Sequence, residues 1–269
     1  DGIRDRSPSR GLGDVYKRQP MERVDDAVKR ILLIKKQAGL FERPFSDQSL
    51  LSNIGSQSHR DIAREAVKKS MVLLKNDNNV LPLPKSGKTI VVAGKGANNI
   101  GMQSGGWTIS WQGGMGQTTD GTTILDAIKS SVDPGTVVEY SADGKGYTGD
   151  LAVVVIGEKP YAEMMGDRTD LKLDKEDRDV IARFTENNIP VVVVLISGRP
   201  MIVTEEVDKW DGFIAAWLPG TEGSGVADVL FGDYNPTGKL SFSWPKRMDQ
   251  FPIDPNDDHL YKFGYGLTY

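Results

Sequence analysis

The 269-residue sequence contains no cysteine. Disulfides, thiolate metal sites and cysteine nucleophiles are excluded with it. It has only two histidines, His59 and His259. That is too few for a histidine metal cluster and a thin supply for a Ser-His-Asp triad. No apolar run approaches the roughly 18 residues a membrane-spanning helix needs. The longest, Val191 to Ile196, has the length of a strand. An excess of positive charge is also missing. The net charge is −4 at pH 7, which gives no electrostatic case for a nucleic-acid partner. What remains is ordinary for a globular chain: 38% hydrophobic and 26% charged residues, with enough length to bury a core without staples.

Residues 1–19 differ from the rest. They show no apolar periodicity, carry five basic and three acidic groups, and lack the apolar stretch of a secretory signal. Asp14 to Gln19 resemble the translation of a transposase mosaic-end sequencing adapter. Residues 1–19 are therefore expected to be an assembly scar. The biological sequence then starts near Pro20 and the protein is a fragment. A disordered natural N-terminus is the alternative.

Val24, Val28, Ile31, Ile34 and Ala38 recur at helical spacing. They predict an amphipathic helix over about 24–38, capped by Gly39 and stopped by Pro44. Phe45 to Gln57 reads as a polar linker. Ser58 to Asp61 resembles a capping box. It opens a second helix whose stripe runs through Ile62, Ala63, Ala66, Val67, Ser70, Met71 and Leu74. Asn76 to Pro84 reads as a turn-rich stop.

Strands are expected at 89–93, 136–140, 151–156, 191–196, 212–216 and 239–243. Helices are expected at 123–131, 174–187, 203–208 and 223–231. Runs such as AVVVIG and VVVVLIS have no polar face and imply burial on both sides. The fold class is thus α/β: a largely parallel sheet of about six strands flanked by helices. In such sheets chemistry sits beyond the carboxyl ends of the strands. Three segments fall there: 94–117, 157–170 and 197–200.

Segment 157–170 holds four carboxylates, Glu158, Glu163, Asp167 and Asp170. One of them, shielded by Tyr161, Met164 and Met165, could keep a raised pKa and act as a general acid. A solvated acidic loop with an Asp167–Arg168 pair is the simpler account. Segment 94–117 places Trp107 and Trp111 among glycines, which suits a stacking face for a sugar or base; core packing is the alternative. Its start, GKGANN, lacks the third glycine of a dinucleotide fingerprint and the Gly-Lys-Ser/Thr of a phosphate loop. Gly223-Ser224-Gly225 has the wrong spacing for a nucleophile elbow. Arg199 is expected in a structural ion pair, His59 exposed, and His259 in a solvated acidic loop beside Asp257 and Asp258.

From about Asp25 to Tyr269 the chain resembles the C-terminal α/β sandwich domain of glycoside hydrolase family 3, in its β-glucosidase and exo-β-glucanase branch. The resemblance rests on REAVKKSMVLLKN, GGWTISWQGG, GTTILDAI, VVVIGEKPYAEMMGD, LISGRP, AAWLPGTEGSGVADVLFGDYNPTGKLSFSWP and FGYGLTY, in family order. It implies a site shared with an N-terminal (β/α)8 barrel that supplies an aspartate nucleophile. It makes Glu163 the acid/base and Trp111 the residue stacking on the aglycone-side sugar, with Trp107 as a second binding residue. Residues 20–57 become the last helix of a missing barrel plus linker, and 58–269 the sandwich domain.

The implied function is retaining hydrolysis of terminal β-D-glucosyl residues from a β-glucoside or β-glucan oligosaccharide. No cofactor or metal is implied, and no membrane or nucleic-acid partner. A secreted or periplasmic location is expected from the resemblance. Retaining hydrolysis takes two carboxyl groups about 5–5.5 Å apart, so the chain alone is expected to be inactive. Two other readings stand beside this one. A nucleotide-binding doubly wound domain would need the phosphate loop that is absent. A non-catalytic sugar-binding module would use Trp107 and Trp111.

Overall fold

The computed structural model describes residues 20–269; the expected adapter segment, 1–19, lies outside the described residues. The described residues divide into two compact units, one ending at Ser56 and the other spanning Gln57–Tyr269.

In the first unit, helix α1 spans Met21–Gln37. It ends as the sequence predicts. Gly39 takes φ +69°, its N–H donates to the Lys36 carbonyl, and the Leu40 N–H donates to Lys35. That is a Schellman closure. Val28, Ile31, Leu32, Leu33 and Ile34 are all exposed on this helix. The stretch read as linker contains a short 3₁₀ turn, Gln48–Asn53, capped by the Asp47 side chain on the Ser49 N–H.

The second unit is a sheet with a hydrophobic core on each face. Helix α2 spans Gln57–Ser70. It is followed by β1 (Val72–Asn76), β2 (Thr89–Ala93) and two helices, α3 (Ile100–Ser104) and α4 (Ile124–Ser131). Then come β3 (Val137–Ser141), β4 (Leu151–Gly157), α5 (Lys175–Thr185), β5 (Val191–Ile196), β6 (Gly212–Trp217) and α6 (Gly223–Leu230). The six strands lie in the order β1-β6-β5-β4-β2-β3. All neighbours are parallel except β1, which runs antiparallel to β6 at the edge. β4 and β5 are buried throughout, as their apolar runs require. Residues of α2, α4 and α6 build the core on one face. α5, Trp210, Leu240 and Trp244 build the other.

Two expectations fail. The apolar stripe carried through Met71 and Leu74 is not helical that far: α2 stops at Ser70 and Val72–Asn76 is strand β1. The reason is burial. Val72 and Leu74 enter one core and Leu73 the other, which is a strand's alternation and not a helix's single stripe. The strand expected at 239–243 does not form. Leu240 and Trp244 insert into the core instead, and pairing is reduced to an isolated bridge between Trp244 and Tyr261 and the backbone bonds of Leu240 with Gly264 and Tyr265. Smaller differences follow. α2 begins two residues earlier than a box with Ser58 as its N-cap implies, and the helix expected at 203–208 is a 3₁₀ turn at Val207–Lys209.

Candidate active site

β2, β4 and β5 are parallel. The segments leaving Ala93, Gly157 and Ile196 therefore emerge along one edge of the sheet. All three segments singled out in the sequence meet there.

Glu158, the first residue after β4, is 6% exposed. Its Oε1 accepts from Arg199 Nη2 at 2.7 Å and Nε at 3.1 Å. Arg168 approaches the same oxygen at 3.7 Å, and the Tyr161 hydroxyl donates to Oε2 at 3.1 Å. The Arg199 guanidinium also lies 4.7 Å from the centre of the Tyr161 ring. Burial, with the Glu158 charge beside it, pushes the Tyr161 hydroxyl up to about 12, so it stays a donor at any physiological pH. The structural ion pair expected for Arg199 is present. The Asp167–Arg168 pair is not: Arg168 turns to Glu158 and, at 3.5 Å, to Asp174.

Glu163 opens a 3₁₀ turn, Glu163–Gly166. Its backbone has φ +50°, a left-handed conformation that costs a non-glycine residue about 1–2 kcal/mol. The side chain is exposed and makes no hydrogen bond or ion pair among the described residues. The apolar cover expected from Met164 and Met165 is absent among the described residues, since they are 66% and 68% exposed.

The tryptophan loop packs against this turn. Gln112 Oε1 accepts from the Ala162 N–H at 3.0 Å. A Cβ on Gly106 would sit 2.0 Å from the Tyr161 carbonyl oxygen, so only glycine permits that approach. Trp107 and Trp111 are 67% and 48% exposed, with ring centroids 6.4 Å apart at 49°. They are not core residues. The tryptophans that are, Trp210 and Trp244, pack edge-on against Phe213 beneath the sheet. Between the strand ends lies a cavity of about 170 Å³, lined by Met102, Gly105, Gly106, Glu158, Tyr161 and Leu218 among others. A larger cavity, about 760 Å³, opens beside α5 and Trp210 and is lined by none of Glu163, Trp107 or Trp111.

Sequence reading misses one buried pair. Lys95 Nζ lies 3.0 Å from Asp177 and 3.2 Å from Asp174, and the Gly157 N–H donates to Asp177 at 3.3 Å. Burial pushes the Asp177 carboxyl up to about 6, against the pull of Lys95. In the sequence Lys95 stands out only as part of an incomplete phosphate loop. No signal there ties it to an aspartate so far along the chain. His59 is exposed as expected. His259 is not in a solvated loop: it is buried, with Nε2 2.6 Å from the Asp254 carbonyl. The Gln250 side chain gathers that loop inward by bonding Lys246, Arg247 and Asp258.

The arrangement is an open face: the exposed carboxyls of Glu163 and Asp167 lie in the loop against which the segment carrying the two exposed indole rings packs. Comparison with known proteins gives the family. Residues 71–269 match the glycosyl hydrolase family 3 C-terminal domain, and the chain belongs to that family. A periplasmic beta-glucosidase of Salmonella typhimurium is 31% identical over 93% of this chain and 40% of its own length. A beta-xylosidase of Formosa agariphila is 31% identical over 96% of this chain and 41% of its own. The solved exo-1,3/1,4-beta-glucanase of a Pseudoalteromonas species is 47% identical over 80% of this chain and 29% of that one, with a TM-score of 0.75. The chain thus spans about two fifths of the length of the curated relatives it matches. Among the described residues no helix is long and apolar enough to cross a membrane.

Proposed function

We propose that the chain is the C-terminal part of a retaining β-glucosidase or exo-β-glucanase that removes terminal β-D-glucosyl residues. Glu163 is its acid/base, Trp111 stacks on the aglycone-side sugar, and Trp107 widens that face. Residues 20–57 are the last helix of a barrel domain and the linker leaving it, and that barrel carries the nucleophile. The observation that carries this reading is Glu163 itself. It is an exposed, unpaired carboxyl held in a left-handed turn, next to two exposed tryptophans at the sheet edge where such folds place their chemistry. The identity to an exo-glucanase favours glucosyl over xylosyl substrates. The relative named periplasmic supports a secreted or periplasmic location.

With one carboxyl of the required pair, this chain alone should not turn over aryl β-glucosides. Turnover by the pure chain, abolished by Glu163→Gln, would place a nucleophile here and sink the split-site reading. A second reading, a sugar-binding module, is favoured by the two exposed indoles alone; binding of laminaribiose by this chain in isolation would support it.

In the complete two-domain enzyme, Glu163→Ala should slow poor leaving groups by roughly 10²–10⁴-fold. It should barely touch the glycosylation step of an activated aryl glucoside, which needs little proton donation. Azide should restore turnover by attacking the glycosyl-enzyme without a base. Rescue in alanine variants of Glu158 or Asp167, and not at position 163, would move the acid/base elsewhere.

A further inference from the structure

A general acid must meet the glycosidic oxygen in a narrow range of positions, and misplacement by about 1 Å can cost 10²-fold. Glu163 has no side-chain partner among the described residues, so its placement falls to the backbone of the turn. That backbone is held from both sides by one residue, Tyr161. Upstream, the Tyr161 carbonyl lies against Gly106, and the next residue, Ala162, is tied to Gln112. Downstream, Gly166 lies flat on the Tyr161 ring: a Cβ there would come 2.1 Å from Cδ2. Glu163 sits between these two anchors.

Tyr161 is in turn held by Glu158. The hydroxyl donates to Glu158 Oε2. The ring lies on the Arg199 guanidinium, which is itself fixed by two hydrogen bonds to Glu158 Oε1. Glu158 follows β4 directly and is buried, so its own position is set by the sheet. A continuous path of contacts therefore runs from the rigid strand through Glu158 and Tyr161 to the turn.

We infer that Glu158 is a positioning residue for the proton-transfer step, fixing through the Tyr161 hydroxyl and the Arg199 guanidinium the turn that presents Glu163. The inference rests on the reading of Glu163 as the acid/base. Glu158 has both oxygens taken up by Arg199 and Tyr161. Its contribution is geometric, and it should appear only where proton donation limits the rate.

The test uses the two-domain enzyme with Glu158→Gln and Tyr161→Phe. Tyr161→Phe removes the hydroxyl and keeps the ring on Arg199. Glu158→Gln keeps an acceptor for Tyr161 and removes the charge that fixes Arg199. kcat/KM is measured on laminaribiose, a poor leaving group, and on 2,4-dinitrophenyl β-glucoside, an activated one. Glu163→Ala is run alongside. Both positioning variants should lose roughly 10- to 100-fold on laminaribiose and less than about threefold on the activated glucoside. Equal losses on both substrates would mean a merely structural ion pair, and no loss on either would mean no role; each overturns the inference. Should Glu158→Gln not fold, Tyr161→Phe decides the matter alone. If Glu163→Ala itself shows no selective loss, the reading of Glu163 falls. If it does and the other two variants do not, the inference alone falls.

Discussion

Glu158 and Glu163 belong to one strand-end loop and have opposite surroundings. Glu158 is buried against Tyr161, Arg199 and Arg168. Glu163 is exposed, unpaired, and held at φ +50°. A search for buried, charge-coupled carboxylates, usually a sound guide to function, would select Glu158, or Asp177 beside Lys95. Here those groups build the platform, and the candidate catalytic group is one that the chain leaves uncovered. That is what the proposed site, divided between two domains, would require. Each domain must finish its own scaffold while leaving its reacting group open for the other to complete.

The contrast breaks most sharply in stability. Glu158→Ala strands the Arg199 cation and the Tyr161 hydroxyl, while Arg168 keeps Asp174, and removing one partner of a buried pair costs about 3–5 kcal/mol. Glu163→Ala removes no partner and should stay within about 0.5 kcal/mol of the parent chain. Denaturant melts of the two variants check this. Similar losses would show that Glu163 is tied down in solution and that the two carboxylates differ less than their surroundings suggest.

Asp177 sharpens the contrast through pH. Its carboxyl is raised from 3.8 to about 6 in the folded chain. A raised acid contributes stability below its unfolded pKa, and that contribution is lost as pH climbs through the folded value. Asp177→Asn removes the titration. Whatever offset it carries from leaving Lys95 with Asp174 alone, its stability relative to the parent should rise between about pH 4 and pH 7. The expected gain is on the order of 2 kcal/mol, and the difference should be flat above that range. A difference that is constant from pH 4 to pH 7, or falls as pH rises, would show that Lys95 keeps Asp177 ionised throughout.

Much of the sheet was legible because its signals are local. β2 and β5 fall on the expected residues, and β3, β4 and β6 within one residue at either end. All but β3, which carries Glu139 and Ser141, are apolar runs bounded by turns. β1 was illegible for a physical reason. Met71 to Leu74 extends the helical stripe of α2 without a break, and only the pairing of Val72–Asn76 with β6, a partner far along the chain, shows where the helix stops. The same holds at the site. Residue types singled out Trp107 and Trp111 and left four carboxylates open; the family resemblance picked Glu163 among them, and all three residues are exposed. The ties beneath them could not be read. Gln112 to Ala162, Glu158 to Arg199 and Lys95 to Asp177 are long-range pairings that follow only from the register of β2, β4 and β5.

Trp111 tests the open side of the contrast. In the two-domain enzyme, Trp111→Ala should weaken kcat/KM on laminaribiose more than on aryl glucosides, by on the order of 1 kcal/mol, or about fivefold. Its half-exposed ring predicts little change in melting temperature. Equal kinetic losses on both substrates would shift the stacking role to Trp107.

The smallest effect concerns the backbone that presents Glu163. A residue at φ +50° pays about 1–2 kcal/mol unless it is glycine. Glycine loses roughly 0.5–1 kcal/mol more than alanine through the freedom of the unfolded chain. Glu163→Ala keeps the strained conformation, whereas Glu163→Gly relieves it. Neither variant disturbs a side-chain contact, because the carboxyl makes none among the described residues. The strain term slightly exceeds the entropy term, so Glu163→Gly should be more stable than Glu163→Ala by up to about 1 kcal/mol, or roughly 2–4 °C in melting temperature for a domain of this size. Both variants lack the acid and should be equally impaired on poor leaving groups, so the comparison isolates the turn from the chemistry. A glycine variant melting several degrees below the alanine one would show that position 163 is not left-handed in solution. The anchors on either side of it, Ala162 with Gln112 and Gly166 with Tyr161, would then hold a looser turn than the platform beneath them implies.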